Sequence, residues 1–432
     1  MWAGPECSYL TVGDRLWDQL ALTGHARRSG DPARLASLGV SGVRYPVLWG
    51  RSSGRRAATD WRWAASRVAR LVDLGTEPIV GLLHHGFGPT GADPLDPGWP
   101  AAFGRYARRV AERLPAVRSF LPINEPLTTA RFGGLYGWWP PYARDPGVFA
   151  ALLVAHAEAY LEAARAIRAV RPDARLIVNE DIGTTFSTPS LAELAELHNE
   201  RRWLTFDLVT GRVGRWHPLR SSLAGTRERR RILDRLHAEP EPPDVLGVDH
   251  YATSDRFLDE RLERYPGHAH AHDDGRSYAT VEMARVAGRP VDGFDLAIRE
   301  TWRRYGIPVA LTEVQLAGEP IDQVAWWHEA WSAASRSAGD GIPIVAVTAW
   351  STFGAYDWGS ILRRPESVYE AGCFELPGRG RPRRTPLADA VALTARGIDP
   401  RDPPLGWWRR PERVLYDPGR SDETAGADTA AA

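Results

Sequence analysis

Short apolar runs alternate with amphipathic segments along nearly the whole chain. Runs of strand length lie at Trp2–Cys7, Val40–Val47, Glu77–Leu83, Ser119–Ile123, Arg175–Asn179, Asp244–His250, Ile307–Thr312 and Ile342–Ala349. Several follow a turn such as Arg171-Pro172-Asp173 or Gly306-Ile307-Pro308. Between them, apolar positions recur with helical spacing and predict helices near Trp61–Leu74, Trp99–Leu114, Gly147–Val170, Thr226–His237, Asp292–Tyr305 and Ile321–Ala338. Strands alternating with helices in this way predict an α/β fold, a single (β/α)8 TIM barrel over residues 1–416. The first strand–helix turn lacks the Gly-rich dinucleotide fingerprint, which disfavours a doubly wound sheet. The long connections Thr184–Arg202 and Arg256–Pro290 are expected to wall one mouth of the barrel. The polar, Gly-, Ala- and Asp-rich segment Asp417–Ala432 predicts a disordered tail.

Charge then removes several partner classes. Basic and acidic residues balance at 54 each, so no footprint for nucleic acid is present. No apolar run reaches transmembrane length and Met1–Glu6 lacks the features of a signal peptide, so no membrane association is expected. Cys7 and Cys373 read as buried thiols, consistent with a cytoplasmic location. The chain contains no lysine, which excludes Schiff-base chemistry, pyridoxal phosphate and a Walker-type phosphate loop. Most of the 18 tryptophans are expected in the core; others suit a sugar cleft, where a flat indole stacks on C–H faces.

The candidate chemistry sits at strand ends. Phe120-Leu121-Pro122-Ile123-Asn124-Glu125-Pro126 is an apolar run closed by an amide, a carboxylate and a proline, and Val309-Ala310-Leu311-Thr312-Glu313 ends a later strand in the same way. In a barrel, the C-terminal ends of strands four and seven face one mouth, and two opposed carboxylates there meet the requirement for glycoside cleavage. The histidines of Gly267-His268-Ala269-His270-Ala271-His272-Asp273-Asp274 lie mid-loop after strand six, away from the strand-one position of metal-dependent barrel hydrolases, so no metal is expected.

Taken with further segments, these motifs resemble glycoside hydrolase family 1, the β-glucosidase family, over about residues 1–395. Asn124-Glu125-Pro126 and Thr312-Glu313 are similar to its acid/base and nucleophile motifs. Leu38-Gly39-Val40 with Arg44-Tyr45-Pro46 and Trp49 resembles its strand two, Val80–His85 its strand three, Gly247–Thr253 its strand six, and Trp350–Trp358 the segment after strand eight. The resemblance implies a retaining β-glycosidase without cofactor, acting on a small glycoside. Glu313 would be the nucleophile, held by Arg44 and Tyr251; Glu125 the general acid, then base; and Asn124 the ligand of the sugar 2-hydroxyl. His84 or His85, Trp49, Trp350, Trp358, Asp357 and Glu6 would form the glycone subsite. Matching from the strand selects His84, and matching back from Pro89 selects His85.

The departures fall in the sugar grip. The family's T-E-N-G reads Thr312-Glu313-Val314-Gln315, its D-N-F-E-W reads Gly354-Ala355-Tyr356-Asp357-Trp358, Asp249 replaces an asparagine, and Glu6 is the polar residue where strand one carries a glutamine. A shorter Asp357 withdraws its carboxylate by about one bond length, enough to break a direct hydrogen bond. The expected glycone is therefore not glucose but a deoxygenated or otherwise altered sugar. A transglycosidase on the same machinery and a non-catalytic sugar-binding barrel are the alternatives, and the oligomeric state is left open.

Overall fold

Eight parallel strands close into a barrel: β1 (Trp2–Ala3), β2 (Gly42–Pro46), β3 (Glu77–His84), β4 (Ser119–Asn124), β5 (Arg175–Asp181), β6 (Val245–Asp249), β7 (Val309–Val314) and β8 (Ile344–Ala349). Each strand pairs with its neighbours in sequence, and β1 closes the ring between β2 and β8. Principal helices follow the strands in turn: α1 (Asp31–Ala36), α2 (Ala57–Asp73), α3 (Trp99–Arg113), α4 (Pro146–Val170), α5 (Arg227–Ala238), α6 (Gly293–Tyr305), α7 (Pro320–Gly339) and α8 (Pro386–Thr394). The structure, a computed structural model, describes residues 1–53, 57–273, 275–288, 291, 293–378, 381–398 and 404–418. Asp292 and most of the tail expected from Asp417 onward lie outside the described residues.

Three expectations are corrected. The first strand spans Trp2–Ala3 rather than Trp2–Cys7: Gly4 still donates to the Ala349 carbonyl, but Pro5 has no N–H to continue the ladder, and Glu6 beyond it lines the central cavity. The connections after β5 and β6 are not plain loops. Thr185–Ser187, Arg256–Asp259, His270–Asp273 and Arg276–Glu282 pair into one four-stranded sheet, and Ala192–Arg201 is helical. The strands of the second connection pair locally, His270–Asp273 folding back on Arg276–Glu282, whereas the pairing that joins the two connections, with Phe186 beside Phe257, is non-local and no run within either announces it. Finally, α4 is long and apolar enough by length and composition to cross a bilayer, contrary to the reading of its sequence. Most of that apolar stretch is buried in the protein, with Leu152, Leu153 and Val154 fully inside.

Apolar side chains fill the barrel floor. Trp2, Ile79, Leu121, Ile177, Val245, Ala310 and Ala346 form one cluster contributed by seven of the strands. The indole of Trp2 lies over Gly42: a Cβ there would sit 2.7 Å from the ring, so the remaining strand, β2, contributes space instead of a side chain. A larger cluster, including Phe103, Tyr106, Phe120 and Phe206, fills the space between the strands and the surrounding helices. Trp2→Ala is expected to empty the floor and lower stability by about 3–5 kcal/mol. Thermal and denaturant unfolding check this; a loss below about 1 kcal/mol would show that the floor is not closed by this residue.

Candidate active site

Strand irregularities aim the site residues. Along β7, Ala310 points into the barrel and Leu311 outward, and strict alternation would turn Thr312 inward and Glu313 out. The pairing with β6 slips between Leu311 and Glu313, a bulge that brings both Thr312 and Glu313 to the interior. Against β5, β4 slips between Phe120 and Asn124, a stretch containing Pro122, which has no N–H for the ladder. Glu125 then leaves the strand with its backbone in the left-handed region (φ 43°), and Pro126 opens a short helix, Pro126–Ala130. His85, Ser351 and Asp357 also have positive φ, so non-glycine strain gathers at the barrel mouth.

One arginine organises the floor of the site. Arg44 on β2 donates to Glu313 Oε1 at 3.0 Å, to the Thr312 carbonyl at 2.6 Å and to Asn124 Oδ1 at 2.8 Å, with its guanidinium 4.2 Å from the ring centroid of Trp350. The Tyr251 hydroxyl donates to the other oxygen of Glu313. Asn179 donates its amide to both Asn124 Oδ1 and Asp249 Oδ2, and Thr312 donates its hydroxyl to Asp249 Oδ1 at 2.6 Å. Gly247 permits this approach, since a Cβ would lie 2.5 Å from the Thr312 hydroxyl oxygen. Oxygens of Glu125, Asp249 and Glu313 lie within 4.8 Å of one another. The amide nitrogen of Asn124 is a buried donor without a partner among the described residues.

Above this floor opens a cavity of about 420 Å³. Glu6, His84, His85, Glu125, Tyr251, Glu313 and Trp358 line it, together with Phe132, Leu316, Arg285 and Trp407. Both histidines thus reach the same space. His84 stacks on Trp350 at 5.4 Å and lies 3.8 Å from Glu6, whereas His85 lies 3.9 Å from Glu125 and meets the Thr129 hydroxyl through Nδ1. The other expected subsite residues are placed differently. Trp49 packs among Trp99, Phe103 and Tyr106 in the core. Trp350 is buried beneath the site, covered by Arg44 and His84, and donates to Glu6 at 3.2 Å. Asp357 is buried and accepts from the Val368 N–H at 2.8 Å. Glu6 itself accepts from both the backbone and the hydroxyl of Ser8. The loop histidines bond locally, His270 to the Leu262 carbonyl and His272 to Ser277, while Asp274 lies outside the described residues.

Burial governs the protonation states. Burial pushes Glu125 well above the usual carboxylate range, reinforced by the charges of Asp249, Glu313 and Glu180. Glu313 is raised by burial and then by Asp249, but Arg44 and the Tyr251 hydroxyl oppose the rise, so it is the better placed of the two to hold charge. Burial, then the charge of Arg44 and a neighbouring histidine, lowers His85 to about 3 and keeps both histidines neutral. Glu180, near the end of β5, joins the expected residues, and a carboxylate closing a barrel strand is the same signal that marks Glu125 and Glu313. It accepts from the N–H groups of Leu127 and Thr128 and from the Thr128 and Thr205 hydroxyls, fixing the turn that carries Glu125.

Burial raises Glu180 from 4.5 to about 7, against the pull of Arg131 and these donors. A carboxyl raised in the folded state takes up a proton on folding. Its contribution therefore favours the fold at low pH and is lost as pH rises through the folded value. Stability is expected to fall by about 3 kcal/mol through this group between roughly pH 4.5 and 8, and Glu180→Gln should flatten that part of the slope. Urea unfolding across this range checks it, and an unchanged slope in the variant contradicts it.

No family model and no curated protein matches the chain. Solved structures do. Thermotoga maritima β-glucosidase in complex with noeuromycin superposes with a TM-score of 0.70 at 16% identity, over 87% of this chain and 88% of that one. The same enzyme with azafagomine gives 0.70 at 17% identity over the same shares. The structure described as a family 1 β-glucosidase from Thermotoga maritima gives 0.68 at 16% identity, covering 87% and 86%. The chain therefore has the barrel fold of family 1 β-glucosidases.

Proposed function

We propose that this protein is a retaining β-glycosidase acting by double displacement. The observation that carries the reading is the approach of Glu125 and Glu313 within 4.8 Å across the barrel mouth. Retention calls for carboxyl groups about 5–5.5 Å apart, whereas inversion needs about 6.5–9.5 Å to admit a water between them. In the first step a carboxylate oxygen of Glu313 attacks the anomeric carbon while Glu125 gives its proton to the departing glycosidic oxygen. In the second, Glu125 takes a proton from water, the resulting hydroxide oxygen bonds to the anomeric carbon, and the Glu313 ester bond breaks. Arg44 and Tyr251 hold the Glu313 carboxylate in place for attack. The unpartnered amide nitrogen of Asn124 is the donor that a sugar 2-hydroxyl would satisfy.

The glycone end supports a sugar with fewer outer hydroxyl contacts than glucose offers. Glu6 is occupied by Ser8 and Trp350, and Asp357 by the Val368 N–H. Glu6 lines the cavity with both oxygens already bonded to the protein, and Asp357, with Oδ1 on a backbone N–H, is not among the lining residues. Both therefore grip outer hydroxyls less well than free glutamates would, and a site built to bind a hydroxyl discriminates strongly.

A panel of aryl β-glycosides that includes deoxy and 6-deoxy sugars is the test, with the first-formed anomer read by NMR. The β-anomer is expected as first product, and the best deoxygenated glycone should exceed the glucoside in kcat/KM by about tenfold or more. Glu313→Gln should abolish turnover, and Glu125→Gln should lower it by about 10²–10⁴-fold with poor leaving groups. A first-formed α-anomer, or full activity in Glu313→Gln, would overturn the mechanism; glucoside turnover equal to that of the best deoxy sugar would overturn the glycone assignment.

A further inference from the structure

Three carboxylates meet at the barrel mouth, and the double displacement uses two. Asp249, the third, ends β6 fully buried. Its oxygens take the Thr312 hydroxyl and the Asn179 amide, and a carboxylate oxygen of Asp249 lies within 4.8 Å of oxygens of both Glu125 and Glu313. Three buried carboxylates this close, with one guanidinium ion-paired to one of them, favour a proton on another, because unneutralised anions repel. The donors show where the proton belongs. Asp249 receives two hydrogen bonds that favour its ionised form, whereas His85, the basic side chain beside Glu125, is neutral and 3.9 Å away.

Most of the surroundings reinforce this assignment; the exception is Arg131, a buried cation close enough to feel Glu125, Glu180 and Asp181, whose guanidinium donates to the Thr128 hydroxyl. Arg44 on β2 ion-pairs with Glu313 and not with Glu125. Asn179, Glu180 and Asp181 on β5, Thr312 and Glu313 on β7, and Tyr251 beyond β6 supply dipoles or negative charge. His250, the next residue, turns outward against Phe294 and Trp326 and faces Asp255.

We propose that Asp249 is a positioning residue that keeps the transferable proton on Glu125, accepting the Glu125 O–H until the glycosidic oxygen replaces it as acceptor. The inference rests on the glycosidase reading for its kinetic consequence, but not for the shared proton itself. In the first step the proton passes from Glu125 to the leaving oxygen while Asp249 stays ionised. In the second, the proton taken from water returns to Glu125 and re-forms the contact. The charge of Asp249 thus serves both half-reactions.

The test is the isosteric Asp249→Asn, followed through the pH profile of kcat/KM and through infrared difference spectra. Without the neighbouring negative charge, the basic limb should move down by about one pH unit or more. The loss above that limb should be about tenfold greater for a poor leaving group than for a dinitrophenyl glycoside, whose departure needs no acid. A limb that stays in place, or an equal loss for both leaving groups, would overturn the proposal. Infrared spectra taken across a pH titration decide the proton without turnover. Subtracting Glu125→Gln from the wild type should reveal one protonated-carboxyl stretch, and in the Asp249→Asn background that band should disappear at a pH lower by about one unit or more. Absence of the band from the wild type, or its loss at the same pH without Asp249, would also overturn it. If the wild type turns over no glycoside while the band behaves as expected, the glycosidase reading fails and the shared proton stands.

Discussion

Arg44 is the one arginine among the described residues that ion-pairs with the carboxylates at the barrel mouth, and the site is built outward from it. Burying several acids beneath a cavity costs several kcal/mol for each ionised group, which a single guanidinium can offset only in part. The remaining balance is reached by other means: hydroxyl and amide donors on Asp249 and Glu313, a proton on Glu125, and neutral histidines. Arg44 also joins strands distant in sequence. Its bonds reach β4 through Asn124 and β7 through Thr312 and Glu313, so the charge arrangement and the barrel closure support each other.

The barrel divides this work by height. Its floor is hydrocarbon, closed by Trp2 over Gly42, and provides the rigid base on which side chains can be held against electrostatic repulsion. Its mouth is polar and strained. Bulges on β4 and β7, and left-handed backbone at His85, Glu125 and Asp357, turn residues that regular strands would face elsewhere. Glu180 shows how such strain is held, because it takes the buried backbone N–H groups of Leu127 and Thr128 just after Glu125, the first of them shared with the Thr205 hydroxyl.

Much of this was legible in the order of residues. Strand-length apolar runs and helical spacing give the barrel, and carboxylates at the ends of β4 and β7 mark the site. What was not legible depends on geometry that periodicity does not encode. Simple alternation along Val309–Glu313 would send Glu313 outward, and only the slip against β6 reverses it. Trp49 follows a strand-two motif but fills a gap between α3 and the barrel, because an indole serves a core as well as a sugar. Asp249 could be seen in the sequence as a replacement for asparagine, yet its approach to Glu125 emerges only when β6 and β4 face the same mouth. The sheet that joins Phe186 to Phe257 is likewise a product of tertiary pairing across two connections.

The most direct test of the account is whether Glu313 forms a covalent bond to sugar. The wild type incubated with a panel of activated 2-deoxy-2-fluoro β-glycosides, including 6-deoxy members, should gain the mass of one fluoroglycosyl group. Peptide mapping should place it on the Glu313 carboxyl, and Glu313→Gln should gain none. An adduct on another residue, or sugar binding across the panel without any adduct, would contradict the account.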